Sequence, residues 1–221
     1  MTDSTDRKAL GPLYARFAFG PAAAVYDFLT DHPAWLEDCR AMAALVPGPR
    51  VLDLGIGPGT GALEMVRAEP SRLHVGLDVS AHMLSRASAR ARSAGAPLFL
   101  VRADALALPV REATFDGATG HSILYLLADP RAALAELRRA LRPGGRVAFL
   151  EPRRGGDLRV ALRKSAHHAV AMTLWRGMAR LHRRYDEPTL AALLAGAGFS
   201  EPRAWPVLSG YGVMATAARP R

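Results

Sequence analysis

The stretch Val51-Leu-Asp-Leu-Gly-Ile-Gly-Pro-Gly-Thr-Gly-Ala62 places a short apolar strand directly before a glycine-rich turn and the start of a helix. Gly55, Gly57 and Gly59 allow the backbone to turn tightly and to approach a ligand closely, and a helix start offers N–H groups without intrahelical partners. The stretch therefore predicts a nucleotide-like ligand at the end of this strand.

The loop differs from a dinucleotide fingerprint in two ways. A third glycine would be required at position 60, where this chain has Thr60. Asp53 stands two residues before the first glycine, and its carboxylate would repel a phosphate and attract a cation. We therefore expect a ligand with an adenosine and a positive charge but without phosphates.

Further aspartates occur along the following strands. Asp78 ends the second predicted strand, Asp104 follows the third, and Asp116 begins the fourth. One aspartate at a strand end is more often a helix cap or a loop residue, but several at regular spacing favour a binding site. Asp78 would accept hydrogen bonds from both ribose hydroxyls.

Short apolar runs alternate with helical patterns from Arg50 onward, which predicts an α/β fold with a doubly wound, mostly parallel sheet. The predicted strands are residues 51–54, 73–77, 98–101, 115–119 and 147–150, and the predicted helices between them are about 60–69, 80–93 and 130–141. Two or three helices precede this core within residues 7–46. A long helical stretch (about 157–184), a short helix (187–196) and two extended segments (199–206 and 211–216) follow it.

Length and composition limit the function. The 221 residues carry a formal net charge of +9 and suit one domain with a substantial core. A single cysteine, Cys39, excludes an internal disulfide and a cysteine-cluster metal site, and no spaced histidine and carboxylate set predicts a metal. Without a signal peptide or a spanning apolar run, we expect a cytoplasmic protein that can still touch a membrane from one side.

The chain resembles the class I S-adenosylmethionine-dependent methyltransferases from Arg50 to Pro152. Three segments carry the resemblance: the glycine loop, Asp78-Val-Ser-Ala-His-Met-Leu84 and Leu141-Arg-Pro-Gly-Gly-Arg-Val-Ala-Phe-Leu-Glu-Pro152. The resemblance implies a seven-stranded sheet and S-adenosylmethionine as cofactor. It also implies one domain (1–221) with an N-terminal helical lid (1–46), a cofactor core (47–152), a basic helical cap (153–186) and a final helix with the last strands (187–221).

The resemblance assigns roles to the motif residues. The loop with Asp53, Gly55, Gly57, Gly59 and Thr60 would lie against the methionine part of the cofactor. Asp78 would bind the ribose, Val79 and Met83 would pack on the adenine, and Asp104 with Ala105 would meet its edge. Tyr26 of the lid is a further candidate. Pro58 departs from the family pattern and removes one backbone donor from the loop.

The acceptor side is less defined. His121 and Tyr125 follow the fourth strand, so we expect them near the transferred methyl group. His121 could orient the cofactor's carboxylate, act as a general base for a hydroxyl acceptor, or only hydrogen-bond within its loop. Trp175 and Tyr185 are further candidates for the acceptor pocket, whereas Tyr14, like Tyr26, belongs to the helices expected to fold over the cofactor; the alternative for each is a core position.

Most of the net charge lies in one segment. Residues 153–184 contain nine basic residues and one acidic residue, Asp157, together with apolar residues and Trp175. The pattern is compatible with a solvated cap helix, with a segment that contacts an anionic membrane or lipid, or with nucleic-acid binding, which we consider the least favoured of the three.

The sequence thus predicts an enzyme that transfers a methyl group from S-adenosylmethionine to an O, N or C nucleophile of a small, lipophilic acceptor. The motifs most resemble the group that methylates quinone precursors, phospholipid headgroups and lipophilic natural products. An RNA methyltransferase that uses the arginine-rich segment and a non-catalytic cofactor-binding scaffold are the alternatives. The sequence leaves the oligomeric state open.

Overall fold

The computed structural model describes residues 23–180 and 182–221, with side chains described from Asp27 onward. The strands are β1 (Arg50–Leu54), β2 (Leu73–Asp78), β3 (Leu98–Arg102), β4 (Phe115–His121), β5 (Leu141–Pro152), β6 (Ser200–Val207) and β7 (Gly212–Ala218). The helices are α1 (Ala23–Thr30), α2 (Pro33–Leu45), α3 (Thr60–Ala68), α4 (Ala81–Ser93), α5 (Pro130–Ala140), α6 (Leu158–Lys164), α7 (Ala166–Ala179) and α8 (Glu187–Gly196), with a 3-10 turn at Leu208–Gly210.

The strands form one seven-stranded sheet in the order β3-β2-β1-β4-β5-β7-β6. β1 to β5 pair in parallel, whereas β7 runs antiparallel between β5 and β6. The predicted α/β fold with a mostly parallel seven-stranded sheet is therefore confirmed. The strand order reverses between β1 and β4, and ligands of open α/β sheets bind in the crevice that such a reversal creates.

The register of the sheet brings the candidate residues together. Asp53 of β1 lies opposite Gly76 of β2 and Thr119 of β4. His121 is the last residue of β4, one position beyond the residue that pairs with Leu54. The end of β1 is thus flanked by the ends of β2 and β4, as a crevice at the carboxyl edge requires.

Both faces of the sheet are covered by apolar helix faces. On one side the largest fully buried side chains include Leu134 and Leu137 of α5, and on the other Met42 of α2 and Met65 of α3. Each face therefore has its own apolar core, and each core fixes the ends of the strands that approach the crevice.

The basic segment differs from its prediction. Residues 157–180 contain two helices, not one long helix, because Ser165 adopts an extended backbone (φ −172°, ψ 159°) and its hydroxyl accepts the N–H of His168 to begin α7. None of the described helices is long and apolar enough to cross a membrane. The predicted helices before residue 23, with Tyr14, lie outside the described residues, as does the side chain of Tyr26, whose backbone belongs to α1.

Candidate active site

The glycine loop needs its glycines for both backbone angle and space. Gly55, Gly57 and Gly59 have φ values of 66°, 56° and 82°, in the left-handed region that favours glycine. A Cβ on Gly55 would also lie 2.6 Å from the Cδ1 of Ile123 in the loop after β4. The loop therefore turns tightly while touching the neighbouring strand end, which leaves its outer side open to a ligand.

Asp78 joins the end of β2 to this loop. Its Oδ2 accepts the N–H of Gly57 at 2.9 Å, and its Oδ1 accepts the N–H of Ser80 at 2.8 Å. Burial raises the pKa of Asp78 to about 6, although hydrogen bonds from Ser80, Gly57 and Val79 act in the opposite direction. These three N–H groups use three of the four lone-pair sites of the carboxylate, so it can still accept a hydrogen bond from a ligand.

Asp53 lies beneath the loop in a nearly dry environment. Its Oδ1 accepts the hydroxyl of Thr119 at 3.0 Å, while Oδ2 is buried and has no hydrogen-bond partner among the described residues. Burial raises the pKa of this carboxyl to about 7, and the nearby Asp78 adds to the effect. A cationic group brought to the loop would satisfy Oδ2 and restore the charged form.

His121 faces Asp53 across the same crevice. Its Nδ1 is 4.0 Å from the Oδ1 of Asp53, and its buried Nε2 has no hydrogen-bond partner among the described residues. Burial lowers the pKa of the imidazole to about 4, so the ring is neutral at pH 7. The ring packs against Gly61 of α3, where a Cβ would lie 2.9 Å from Cε1.

Two cavities lie on either side of Gly55. One is bordered by the ends of β2 and β3 and is lined by Asp78, Val79, Asp104 and Ala105, among others. The other is bordered by α1, α2 and the start of α3 and is lined by Thr30, Trp35, Pro58, Thr60, Gly61 and His121. Together they form an elongated site across the strand reversal.

A third, central cavity opens between these two. Its wall is largely apolar and aromatic and includes Trp35, Met83, Tyr125, Trp175, Met178 and His182. Gly55 and His121 border this cavity as well as the second one, and Ile123 borders it as well as the first. A small apolar molecule in the central cavity would therefore meet a ligand on the glycine loop at His121.

Helix α1 is fastened over the loop by two arginines of α4. Asp27 forms ion pairs with Arg86 at 2.5 Å and with Arg90 at 2.6 Å. Arg90 also hydrogen-bonds the hydroxyl of Thr60 at the start of α3. Helix α1 is thereby held against both the helix that follows the loop and the helix that follows β2.

One buried acid of β5, Glu151, holds the loop that carries Tyr125. The carboxylate of Glu151 accepts the backbone N–H groups of Ile123 at 3.1 Å, Leu124 at 2.8 Å and Tyr125 at 3.2 Å. Burial raises the pKa of Glu151 to about 8, while these N–H groups act to lower it. Glu151 thus fixes the loop between the central cavity and the end of β4.

The structure brings most of the predicted residues to one crevice. The central cavity is lined by Met83, Tyr125 and Trp175. The predicted residues that form or adjoin the glycine loop are Asp53, Gly55, Gly57, Gly59, Thr60, Asp78, Val79, Asp104, Ala105 and His121. Met83 was expected beside the adenine but is not among the residues that line the cavity of Asp78 and Asp104.

Two residues singled out in the sequence lie elsewhere. Asp116 is at the start of β4, where its carboxylate accepts the N–H of Arg50 and the guanidinium of Arg142. Tyr185 is buried in the core with its hydroxyl donating to the carbonyl of Leu124. Asp116 therefore lies at the edge of the sheet opposite the crevice, because β4 begins there and ends at the crevice.

The sequence analysis did not identify Trp35, Ile123 and Gly61. Trp35 comes from α2, and its position over the loop depends on packing with Trp175, whose ring centroid lies 5.3 Å away edge to face. Gly61 directly follows the glycine loop and lies inside α3. It could have been recognised from the sequence, since a glycine inside a helix usually has a packing reason.

The site fits S-adenosylmethionine. The unpartnered, buried Oδ2 of Asp53 suits a cationic ligand without phosphates, and the cavity beside Asp78 and Asp104 offers carboxylates that can accept hydrogen bonds from a nucleoside. Within the described residues, no group of three or more histidine, cysteine, aspartate or glutamate side chains could hold a metal ion.

Comparisons with known proteins agree with this geometry. Residues 51–145 match the family model of a methyltransferase domain. The chain is 36% identical over 154 residues to a 2-phytyl-1,4-naphtoquinone methyltransferase of Synechococcus elongatus, which covers 66% of this chain and 66% of that protein. It is 40% identical over 139 residues to a demethylmenaquinone methyltransferase of Thermus thermophilus, which covers 60% of this chain and 63% of that protein.

A solved structure shares the fold. A SAM-dependent methyltransferase of Thermotoga maritima superposes with a TM-score of 0.68 at 21% identity, over 92% of this chain and 97% of that chain. The two curated relatives are matched over slightly less than two thirds of their length.

Proposed function

Because the chain belongs to the class I S-adenosylmethionine-dependent methyltransferases, we propose that it methylates a small, flat and apolar acceptor with a nucleophilic hydroxyl or ring carbon. The observation that carries the proposal is the central cavity, whose aromatic walls end at His121 and Gly55 beside the glycine loop. The quinone substrates in the names of two relatives are of the same chemical class.

The loop residues would hold the cofactor. Asp53 would stabilise its positive charge, because a buried carboxylate gains most from a cation when it has no other partner on one oxygen. Asp78 would accept the ribose hydroxyls, and Val79, Asp104 and Ala105 would border the adenine. When bound, S-adenosylmethionine supplies a methyl group already activated by a positive sulfur, so the protein mainly has to align the acceptor and exclude water.

The cavity walls would orient the acceptor. Trp35 and Trp175 meet edge to face, so an aromatic ring placed against either one has a rigid apolar surface. Tyr125, on the loop held by Glu151, lines the same cavity. A flat molecule would be confined between these residues with its reactive atom toward His121.

His121 would receive a hydrogen bond from an acceptor hydroxyl. Burial lowers the pKa of the ring to about 4, so the ring is neutral and can accept a hydrogen bond at neutral pH, but it is a weak base until a negative charge on Asp53 raises this pKa. Asp53 is 4.0 Å from Nδ1 and would stabilise a proton that reaches the ring. His121 would therefore act as a base for a hydroxyl acceptor. An acceptor that is methylated at an amine lone pair would not need this base.

A methyl-label transfer experiment tests the proposal. Purified protein, labelled S-adenosylmethionine and three acceptor panels (reduced naphthoquinones with other phenols, biogenic amines, and total RNA) would be compared. We expect label in the first panel, reduced by Trp175→Ala. Label in RNA alone would favour the RNA alternative, and tight cofactor binding without label in any panel would favour a non-catalytic scaffold.

A further inference from the structure

The outer surface of α6 and α7 exposes an unusual amount of apolar side chain. Among the described residues eight large hydrophobic side chains are exposed, and six of them lie on α6, on α7 or on the adjoining α1. We call these six residues the apolar face: Phe28, Leu158, Val160, Leu162, Val170 and Leu174. The two others, Leu73 and Phe99, belong to β2 and β3, at the far edge of the sheet.

The exposed positions within helix α7 carry no charged residue. Arg176 is half-buried with its guanidinium over the ring of Tyr211, and the exposed Arg180 follows the end of the helix. His168, Met172 and Trp175 point inward and are buried, whereas positions 166, 170, 173, 174 and 177 are exposed and carry Ala, Val, Thr, Leu and Gly. A helix that faces water on one side normally places charged residues there. The composition of this outer side is that of a helix covered by an apolar medium.

Helix α1 extends the apolar face beside α7. The rings of Phe28 and His167 have centroids 4.4 Å apart, and the imidazole Nε2 of His167 lies 2.8 Å from the carbonyl oxygen of Phe28. The exposed ring of Phe28 therefore adjoins the start of α7.

Unpaired cations accompany this face on α6. Arg159 and Arg163 are exposed and form no ion pair with a described residue, unlike Arg153, which pairs with Glu187. The exposed Lys164 interacts electrostatically with Asp38 of α2. The one acid of the segment, Asp157, caps α6 through the N–H groups of Arg159 and Val160. The positive charge beside the apolar face is consequently available to an external anion.

We propose that the apolar face docks on an anionic lipid surface, with Leu158, Leu162 and Leu174 entering the apolar layer and the α6 cations binding the headgroups. Apolar residues flanked by arginine and lysine are what an interfacial helix needs, because the long stems reach the headgroup level. A second copy of this chain fits less well, since a two-fold interface would bring the same cations together.

The position of the face gives docking a consequence for the site. Trp175 and Met178, on the inner side of α7, line the central cavity. A bilayer on the outer side would lie one helix diameter, about 10 Å, from that cavity. An apolar acceptor dissolved in the bilayer would then have a short path to the site. The docking inference itself does not rest on the proposed function.

Vesicle co-sedimentation of the full chain, without cofactor or acceptor, tests the docking. Vesicles of phosphatidylcholine alone would be compared with vesicles containing about 30% phosphatidylglycerol, since each cation near an anionic surface contributes about 1 kcal/mol. We expect binding to the anionic vesicles, weakened by rising salt. Leu162→Ser with Leu174→Ser, and separately Arg159→Glu with Arg163→Glu, should each weaken binding at least about tenfold.

Matched controls keep the test specific. Phe99→Ser changes an equally exposed apolar residue (57% exposed) at the far edge of the sheet, and Arg111→Glu with Arg131→Glu makes the same change in net charge away from α6. Both should bind like the wild type.

Three outcomes would overturn the inference. These are no binding to anionic vesicles, equal binding by the α6–α7 variants and the controls, or a dimer in sedimentation velocity without lipid that Leu162→Ser with Leu174→Ser dissociates. The last outcome would assign the face to a second copy. Failure here leaves methyl transfer in solution untouched, and failure of methyl transfer leaves vesicle binding untouched.

Discussion

Asp78 Oδ2 accepts the backbone N–H of Gly57 at 2.9 Å, so the side chain that ends β2 holds the glycine loop that follows β1. The residue therefore contributes to the site in two ways: its carboxylate fixes the loop, and its side chain lines the cavity shared with Asp104. A substitution at Asp78 should disturb both the loop and the contact with a nucleoside.

Asp78→Asn should weaken S-adenosylmethionine binding by about 10- to 100-fold, the range for a lost hydrogen bond to a charged group. Isothermal titration calorimetry measures the effect. Asp129→Asn is a matched control, because Asp129 caps α5 and asparagine caps a helix equally well. Unchanged affinity in Asp78→Asn would remove Asp78 from the cofactor site.

Asp53→Asn should raise the free energy of unfolding at pH 8 more than at pH 5. Burial raises the folded-state pKa of Asp53 from 3.8 to about 7, so the folded protein binds more protons than the unfolded chain in this window. Stability is therefore lost as pH rises from about 4 to about 7, a loss that asparagine avoids. Urea unfolding at the two pH values should show a difference of about 1 to 4 kcal/mol.

The same substitution should change the protons released on cofactor binding. A cation beside Asp53 favours its ionised form, so binding at pH 6 should release more protons from the wild type than from Asp53→Asn. Calorimetry in buffers of different ionisation enthalpy counts these protons. Equal release by the two proteins would show that no positive group of the ligand approaches Asp53.

His121→Ala should slow methylation of a hydroxyl acceptor by about 100-fold, the usual contribution of a general base, and an amine acceptor much less. Gly61→Ala provides an independent test, because the new methyl group would lie 2.9 Å from Cε1 of His121 and displace the ring. Alanine suits a helix better than glycine, so the fold should be retained. Equal losses for both acceptor types would point to cofactor positioning by His121.

The sequence predicted the elements whose causes are local. The strand-loop-helix unit at Asp53–Thr60 and the caps at Asp129 and Pro130 depend on residues close in the chain, so their bounds agree with the structure within one or two residues. The break at Ser165 was missed because leucine, arginine and lysine before it and alanine after it continue the helical pattern.

Residues brought to the site by long-range packing were harder to predict. Trp35 precedes β1 by 15 positions and reaches the glycine loop only because α2 packs beside α3 and Trp175 of α7 supports its ring. The apolar positions of a helix show that it has a buried side, but they do not show which cavity that side borders.

Trp175→Ala should raise the KM of the acceptor at least about tenfold while the Kd of S-adenosylmethionine changes less than about twofold. The indole lines the central cavity but neither of the two flanking cavities, and deleting a buried aromatic side chain removes several kcal/mol of contact. Trp205→Ala on β6 is the matched control. Similar kinetics in both variants would exclude the aromatic wall from acceptor binding.

Glu151→Ala should lower both stability and acceptor binding, because one carboxylate accepts three N–H groups of the loop after β4. Each buried N–H left without a partner costs about 1 to 3 kcal/mol, so we expect about 3 kcal/mol or more in urea unfolding.

Glu151→Gln keeps the size of the side chain and one acceptor oxygen but turns an amide donor toward Tyr125 or Leu124. The glutamine variant should therefore unfold at a urea concentration between those of the wild type and Glu151→Ala. Its acceptor KM should be raised and its cofactor Kd unchanged. A glutamine variant with wild-type KM would show that the position of Tyr125 does not depend on this carboxylate.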